Sequence, residues 1–140
     1  MELDVSLDCS EVDWQAVSDT LQAVGMAFHA PHRHRQAFEA SHTTVFVHHA
    51  GRLIGFGRAI SDGVYQAAVY DCAILPEFQG KGIGKRIMQE IQARLSHCNF
   101  ILYASPGKEG FYETLGFRRM KTGMARFKKS ASMRERGFTE

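Results

Sequence analysis

Apolar residues recur along this chain with two different periods. "LDVSL" alternates apolar and polar positions and predicts a first strand. "EVDWQAVSDTLQAVGMAF" then switches to helical spacing through Val12, Ala16, Val17, Leu21 and Val24, with Ser10 placed to cap it. Pro31 interrupts, and "HRHRQAFEAS" predicts a second, short helix. "TTVFVHH" is β-branched and aromatic, Ala50-Gly51 turns it, and "RLIGFGRAIS" returns as its hairpin partner. Asp62-Gly63 makes a further turn into "YQAAVYDCAIL", a long buried strand that stops at Pro76.

The next helix is expected from about Gly84 to Ser96. Ile83, Ile87, Ile91 and Leu95 share one of its faces, and Glu90 is placed to pair with Arg94. "NFILYA" predicts a buried strand, and "EGFYETL" a short helix closed by Gly116. "MARFKK" predicts a last strand, and the chain from residue 131 to 140 has too little apolar content to be more than a flexible tail. Adjacent strands early and strand–helix–strand units later predict a mixed sheet flanked by helices, an α/β (α+β) chain with a single domain over residues 1–130.

Composition changes this picture little. The 140 residues suffice for one domain with an ordinary core. A net charge of +2 is too mild to imply nucleic acid. The eight basic residues between Arg118 and Arg136 form either a solvated end, the commoner case for such runs, or an anion-facing edge. Three cysteines without a CxxC pair fit a reducing, cytoplasmic setting better than a disulfide framework. "MELDVSLDCSEVDW" has no apolar signal region, and no run approaches the ~20 apolar residues of a membrane span. His29, His32, His34, His42, His48 and His49 show no metal-ligand spacing, so no metal is expected; "HAPHRHR" is read as a polar, mobile helical segment. Phe28, Phe38 and Trp14 could admit an aromatic ligand but fit the core better.

"LPEFQGKGIGKRIMQEI" carries the chemistry. Glycine is a poor helix starter, yet Gly80, Gly82 and Gly84 stand directly before the apolar-periodic run. A strand, a glycine-rich turn and a helix start together describe an anion site. Main-chain N–H groups converge there, and the helix end adds partial positive charge. Bare backbone lets a phosphate approach, and Lys81, Lys85 and Arg86 add charge. A P-loop is excluded because Lys85 is followed by Arg86 rather than Ser or Thr, and the dinucleotide fingerprint fails at Ile87.

The remaining signature, Gln79-x-x-Gly82-x-Gly84, resembles the acyl-CoA pyrophosphate loop of the GNAT (N-acetyltransferase) superfamily. "FYETLGF" from Phe111 to Phe117 resembles the family's second landmark, where a tyrosine on a short helix faces the CoA sulfur. Residues 58 to 127 look most similar to the branch holding plastid and bacterial arylalkylamine (serotonin-type) acetyltransferases. The resemblance implies a GNAT fold, with a central sheet of about six to seven strands and about four helices. It implies acetyl-CoA as the acetyl donor, a small primary amine as acceptor, no nucleic-acid or membrane partner, and a homodimer as a possible assembly.

The same resemblance assigns residues. Gln79, Gly80, Lys81, Gly82, Ile83, Gly84 and Lys85 would hold the pyrophosphate. Cys72, Ala73, Ile74 and Leu75 would hold the acetyl carbonyl and the pantetheine arm, where the strand splays from "FILYA"; a backbone N–H near Ala73 or Ile74 would be the oxyanion donor. Tyr112 would be the general acid for the leaving thiolate, with Phe111 beside it supplying the packing; the competing role for Tyr112 is that of a core ring. Many relatives place a glutamate base on this strand, but Ala68, Val69 and Tyr70 stand there, leaving Asp71 as candidate base or as a structural hydrogen-bonding group. Ser105 replaces the asparagine that many relatives set against pantetheine, and Lys108 and Glu109 lie beside it. Cys72 is read as a buried hydrophobe and not as a nucleophile. Two alternatives remain: an acetyltransferase for a protein N-terminus or lysine, and a non-catalytic acyl-CoA sensor.

Overall fold

The alternating runs become one five-stranded sheet in sequence order: β1 (Asp4–Ser6), β2 (Thr43–His49), β3 (Arg52–Ser61), β4 (Gln66–Ile74) and β5 (Asn99–Ile101). The first four strands pair antiparallel, and β5 joins β4 in parallel. The helices are α1 (Trp14–Ala23), α2 (Pro31–Glu39), α3 (Ile83–Arg94), α4 (Glu109–Glu113) and α5 (Ser130–Glu135). The structure, a computed structural model, describes residues 1–140. The backbone divides into two units, residues 1–102 and residues 103–140, and each is taken by itself.

In the first unit, helices cover both faces of the sheet, which is why Thr43 to Val47 of β2 are buried without alternation. On one face Val17 and Leu21 of α1 and Phe38 of α2 meet Phe46 and Phe56. Phe38 lies 5.5 Å from Trp14, 5.5 Å from Phe46 and 5.9 Å from Phe56, so Trp14 and Phe38 are core residues. On the other face α3 presents Ile83, Ile87, Met88 and Ile91, all buried. Neighbouring strand residues point to opposite faces, so Gly55 and Gly57 flank Phe56 on the α3 side. A Cβ on Gly55 would sit 2.7 Å from Ile74 Cδ1, and one on Gly57 would sit 2.9 Å from Ile87 Cγ2. The "GFG" of β3 is where α3 lies against the sheet.

Several expectations change in detail. α1 starts at Trp14 because Asp13, not Ser10, caps it: the Asp13 carboxylate accepts from the Ala16 N–H, while the Ser10 hydroxyl donates to Asp8. Pro31 is the first residue of α2, where a missing N–H costs nothing. Glu90 pairs with Arg86 at 3.3 Å and not with Arg94.

The sheet has five strands rather than six to seven. β5 ends at Ile101, and "MARFKK" forms no strand. Met124 is 98% exposed, while the Phe127 ring stands 5.3 Å from that of Tyr103 and 6.4 Å from that of Phe138. Strand propensity is realised only against a partner surface, and within this second unit Phe127 joins a three-ring cluster instead. α5 follows over part of the segment read as a tail.

Candidate active site

β4 runs into a tight 3-10 turn at Pro76–Phe78 and from there into α3. The Gln79 side-chain amide donates back to the Ile74 carbonyl at 3.0 Å, bracing this turn from inside. Gly80 and Gly82 then take φ of +76° and +82°, the left-handed region that glycine enters without penalty. A Cβ on either would meet nothing within 4 Å, so the space beside them is open. Gly84 instead lies inside the first turn of α3. Gly80 and Gly82, not Gly82 and Gly84, are thus the positions whose backbone demands glycine.

Gly82 is the N-cap, and its carbonyl accepts the first helical bond from the Arg86 N–H. The N–H groups ahead of it have no intrahelical acceptor. The first turn of α3 carries no acidic residue but does carry Lys85, a sign of charge that the helix dipole disfavours unless an anion sits there. Lys81 and Lys85 are exposed, whereas Arg86 is tied to Glu90. Ile83 buries its side chain in the core, leaving only its backbone for a ligand.

Just before this turn, β4 breaks two rules. Phe56 pairs with Ala73 and Arg58 with Tyr70, so Asp71 and Cys72 together stand opposite Gly57: a β-bulge. Asp71 sits at φ +53°, a left-handed conformation that is uncommon outside glycine, though aspartate is among the residues that tolerate it. Its Oδ2 accepts from Arg58 Nε at 2.7 Å. In addition, β5 pairs only with Gln66–Ala68, while β4 continues to Ile74. β5 ends at the partner of Ala68, and the bulge lies in the part of β4 that runs on beyond it. Burial, then the Asp71 carboxylate, pushes the Cys72 thiol up to about 12, which removes it as a nucleophile near neutral pH.

Above the bulge lies the end of α2. His34, expected in a mobile polar segment, is 3% exposed. Its Nε2 accepts the His29 N–H at 2.9 Å, so the neutral ring carries its proton on Nδ1. Burial holds His34 below the ordinary histidine value, against the opposing pull of Asp71. Ser18 donates to the His29 carbonyl at 2.6 Å, so the turn between α1 and α2 is fixed from both helices.

The remaining candidates lie in the second unit. Ser105 accepts the Lys108 N–H through its carbonyl, and Glu109 accepts the Gly107 N–H, which sets the start of α4. Lys108 is exposed. The Tyr112 ring lies 5.0 Å from Phe111 and 6.0 Å from Phe117. Tyr112 is half-buried while Phe111 is 37% exposed, so the tyrosine, and not Phe111, is the more enclosed of the two. Gly116 at φ +92° and the bond from the Phe117 N–H to the Tyr112 carbonyl close the helix. Arg119 reaches both Glu109 (3.8 Å) and Glu113 (3.5 Å) and fixes one side of it.

Two further features of the sequence bear on this site. Alternate glycines inside a strand mark close approach of another element, and they place α3 over β3. An arginine on β3 and an aspartate on the next strand could have been paired through the hairpin register.

A strand that runs on past its neighbour and ends in an open glycine turn at a helix N-terminus is a setting that favours an anion. The chain matches the acetyltransferase (GNAT) domain over residues 10–130 and belongs to that family. It is 35% identical over 113 residues to rice (Oryza sativa subsp. japonica) serotonin N-acetyltransferase 2, chloroplastic, covering 76% of this chain and 56% of that one. It is 34% identical over 113 residues to the uncharacterized ycf52-like N-acetyltransferase of Prochlorococcus marinus, covering 76% and 63%. The chain thus spans little more than half the length of these relatives. A GNAT family acetyltransferase from Streptococcus pneumoniae shares the fold, with a TM-score of 0.77 at 24% identity over 91% of this chain and 99% of that one.

Proposed function

We propose that this chain is an acetyl-CoA-dependent N-acetyltransferase for a small primary amine with an apolar body, of the arylalkylamine kind. The observation that carries the reading is the turn from β4 into α3. Two left-handed glycines leave open space before a helix N-terminus whose first turn is basic rather than acidic. A pyrophosphate suits that electrostatic setting, and the stretch of β4 that runs on beyond the end of β5 suits a pantetheine arm.

In this reading the nitrogen lone pair of the neutral amine forms the C–N bond, and the C–S bond breaks as the carbonyl is restored. Backbone N–H groups about Ala73 and Ile74 stabilise the oxygen while it carries charge. Tyr112 returns a proton to the leaving thiolate, and Asp71 receives the amine's proton directly or through water. Ile60, Ala68 and Ile101 are register partners across β3, β4 and β5, and so share one face. Ile60 is 49% and Ile101 51% exposed. That apolar row begins one register step from Tyr70 and favours an acceptor with a hydrocarbon or aromatic body, as does the name of the rice relative.

Thiol release from acetyl-CoA across tryptamine, phenylethylamines, polyamines, amino sugars, amino acids and short peptides tests the reading. Fastest release with arylalkylamines is expected; fastest release with peptides would move the acceptor to proteins, and CoA binding without any release would leave a sensor. Replacing Tyr112 by Phe is expected to lower turnover about 10²-fold, the low end for acid catalysis, with CoA affinity unchanged. An equal rate would assign the ring to packing alone.

A further inference from the structure

We infer that Arg58 is a positioning residue for this acyl transfer, acting as a clamp that holds the β4 bulge in its left-handed form and ties it to the end of α2. The inference rests on the acetyl-CoA reading above. Arg58 touches none of the groups assigned to the reaction except Asp71, and its effect would pass through the backbone.

Four contacts fix the guanidinium. Nε donates to Asp71 Oδ2 at 2.7 Å, and Nη1 donates to Ser41 Oγ at 3.2 Å. Ser41 in turn donates to the Ala37 carbonyl at 2.7 Å, so its hydroxyl is oriented by the last turn of α2. The guanidinium carbon lies 5.6 Å from the Phe38 ring centre and 5.5 Å from that of Tyr70. One planar cation is therefore set against an α2 ring and a β4 ring, and it bonds one group from each side. Lysine could not reproduce this, since it offers a point charge without a planar fork. The side chains of Arg58 and Asp71 are 15% and 22% exposed, so water competes weakly for the pair.

The clamp bears on chemistry because of where it bites. Asp71 is the residue at which β4 leaves the regular ladder, and Cys72, Ala73 and Ile74 follow it directly. The direction of their N–H groups depends on the φ of Asp71. A non-glycine residue at φ +53° persists only where its surroundings hold it, and Arg58 is the group that grips its side chain. Loosening that grip displaces the oxyanion donors without altering the glycine turn that would hold the pyrophosphate. The signature expected is a fall in kcat with CoA affinity kept.

The test compares Arg58→Lys, Arg58→Met and Ser41→Ala with the unaltered protein, using acetyl-CoA and the amine of the panel that gives the fastest thiol release. CoA affinity is measured by calorimetry, and rates are corrected for the folded fraction seen by circular dichroism. The expected result is a kcat lower by roughly tenfold to a hundredfold in both Arg58 variants, the scale of an ångström-sized misplacement, with CoA affinity within about twofold and a smaller loss in Ser41→Ala. Unchanged kcat per folded molecule in Arg58→Lys would overturn the clamp while leaving the acetyltransferase reading intact. An unaltered protein that neither binds CoA nor releases thiol would overturn that reading, and the clamp with it. Should Arg58→Met not fold, Arg58→Lys and Ser41→Ala still decide the matter.

Discussion

Within about a dozen residues this chain turns its backbone left-handed in two ways. At Gly80 and Gly82 it uses residues for which that conformation is free. At Asp71 it uses one for which it is not, and holds it with Arg58, Ser41 and two aromatic rings. Gly80 and Gly82 are exposed, with open space where a Cβ would stand, so their conformation resides in the residues themselves. The bulge lies between strands and beneath α2, so its shape resides in what surrounds it. Glycine holds a left-handed turn without supporting side chains, whereas a left-handed aspartate gains from being gripped.

The largest effect is expected at the turn. Gly82→Asp adds a left-handed penalty of roughly 1–2 kcal/mol and sets a carboxylate against the incoming pyrophosphate. Together these should weaken CoA binding by about a hundredfold or more, as read by calorimetry; unchanged affinity would remove the turn from the site. At the bulge, Asp71→Ala should destabilise by about 2 kcal/mol through loss of a charge-assisted bond to a half-buried partner. Asp71→Gly should be the more stable of the two by about 1 kcal/mol, because only the alanine still bears the left-handed penalty. Equal stabilities in urea unfolding would mean that the strain ascribed to Asp71 is absent.

Gly80→Ala should cost about 1 kcal/mol from conformation alone, since its Cβ would meet open space. The smallest effect concerns His34. Its folded value lies below its ordinary 6.5, so the unfolded chain binds more protons and stability rises with pH. Stability should therefore fall as pH drops below about 6.5, down to the folded value, and this component should vanish in His34→Gln. A slope that persists in the variant would assign it to another group.

Much of this was legible from local pattern. β-Branched and aromatic content with the Ala50-Gly51 turn placed β2 and β3 to the residue, and the Ile83, Ile87, Ile91 and Leu95 stripe is buried as spaced. The glycine turn was legible because glycine marks its own conformation. The bulge was not, since nothing in "YDCAIL" distinguishes a left-handed aspartate from a regular strand residue. Nor was the burial of His34, which lies on α2, a helix packed on α1 and, through Phe38, on Phe46 and Phe56. The last predicted strand failed for a related reason: "MARFKK" has a strand's composition, but a strand exists only where an edge is offered to it.

The sequence by itself therefore determined most of the elements and the left-handed glycine turn, which follow from interactions a few residues apart. Only the tertiary structure decided the register of β3 on β4, and with it the pairing of Arg58 with Asp71 and the place of the bulge. Those depend on groups far apart in the chain, whose meeting is fixed by packing and not by the identity of any one residue.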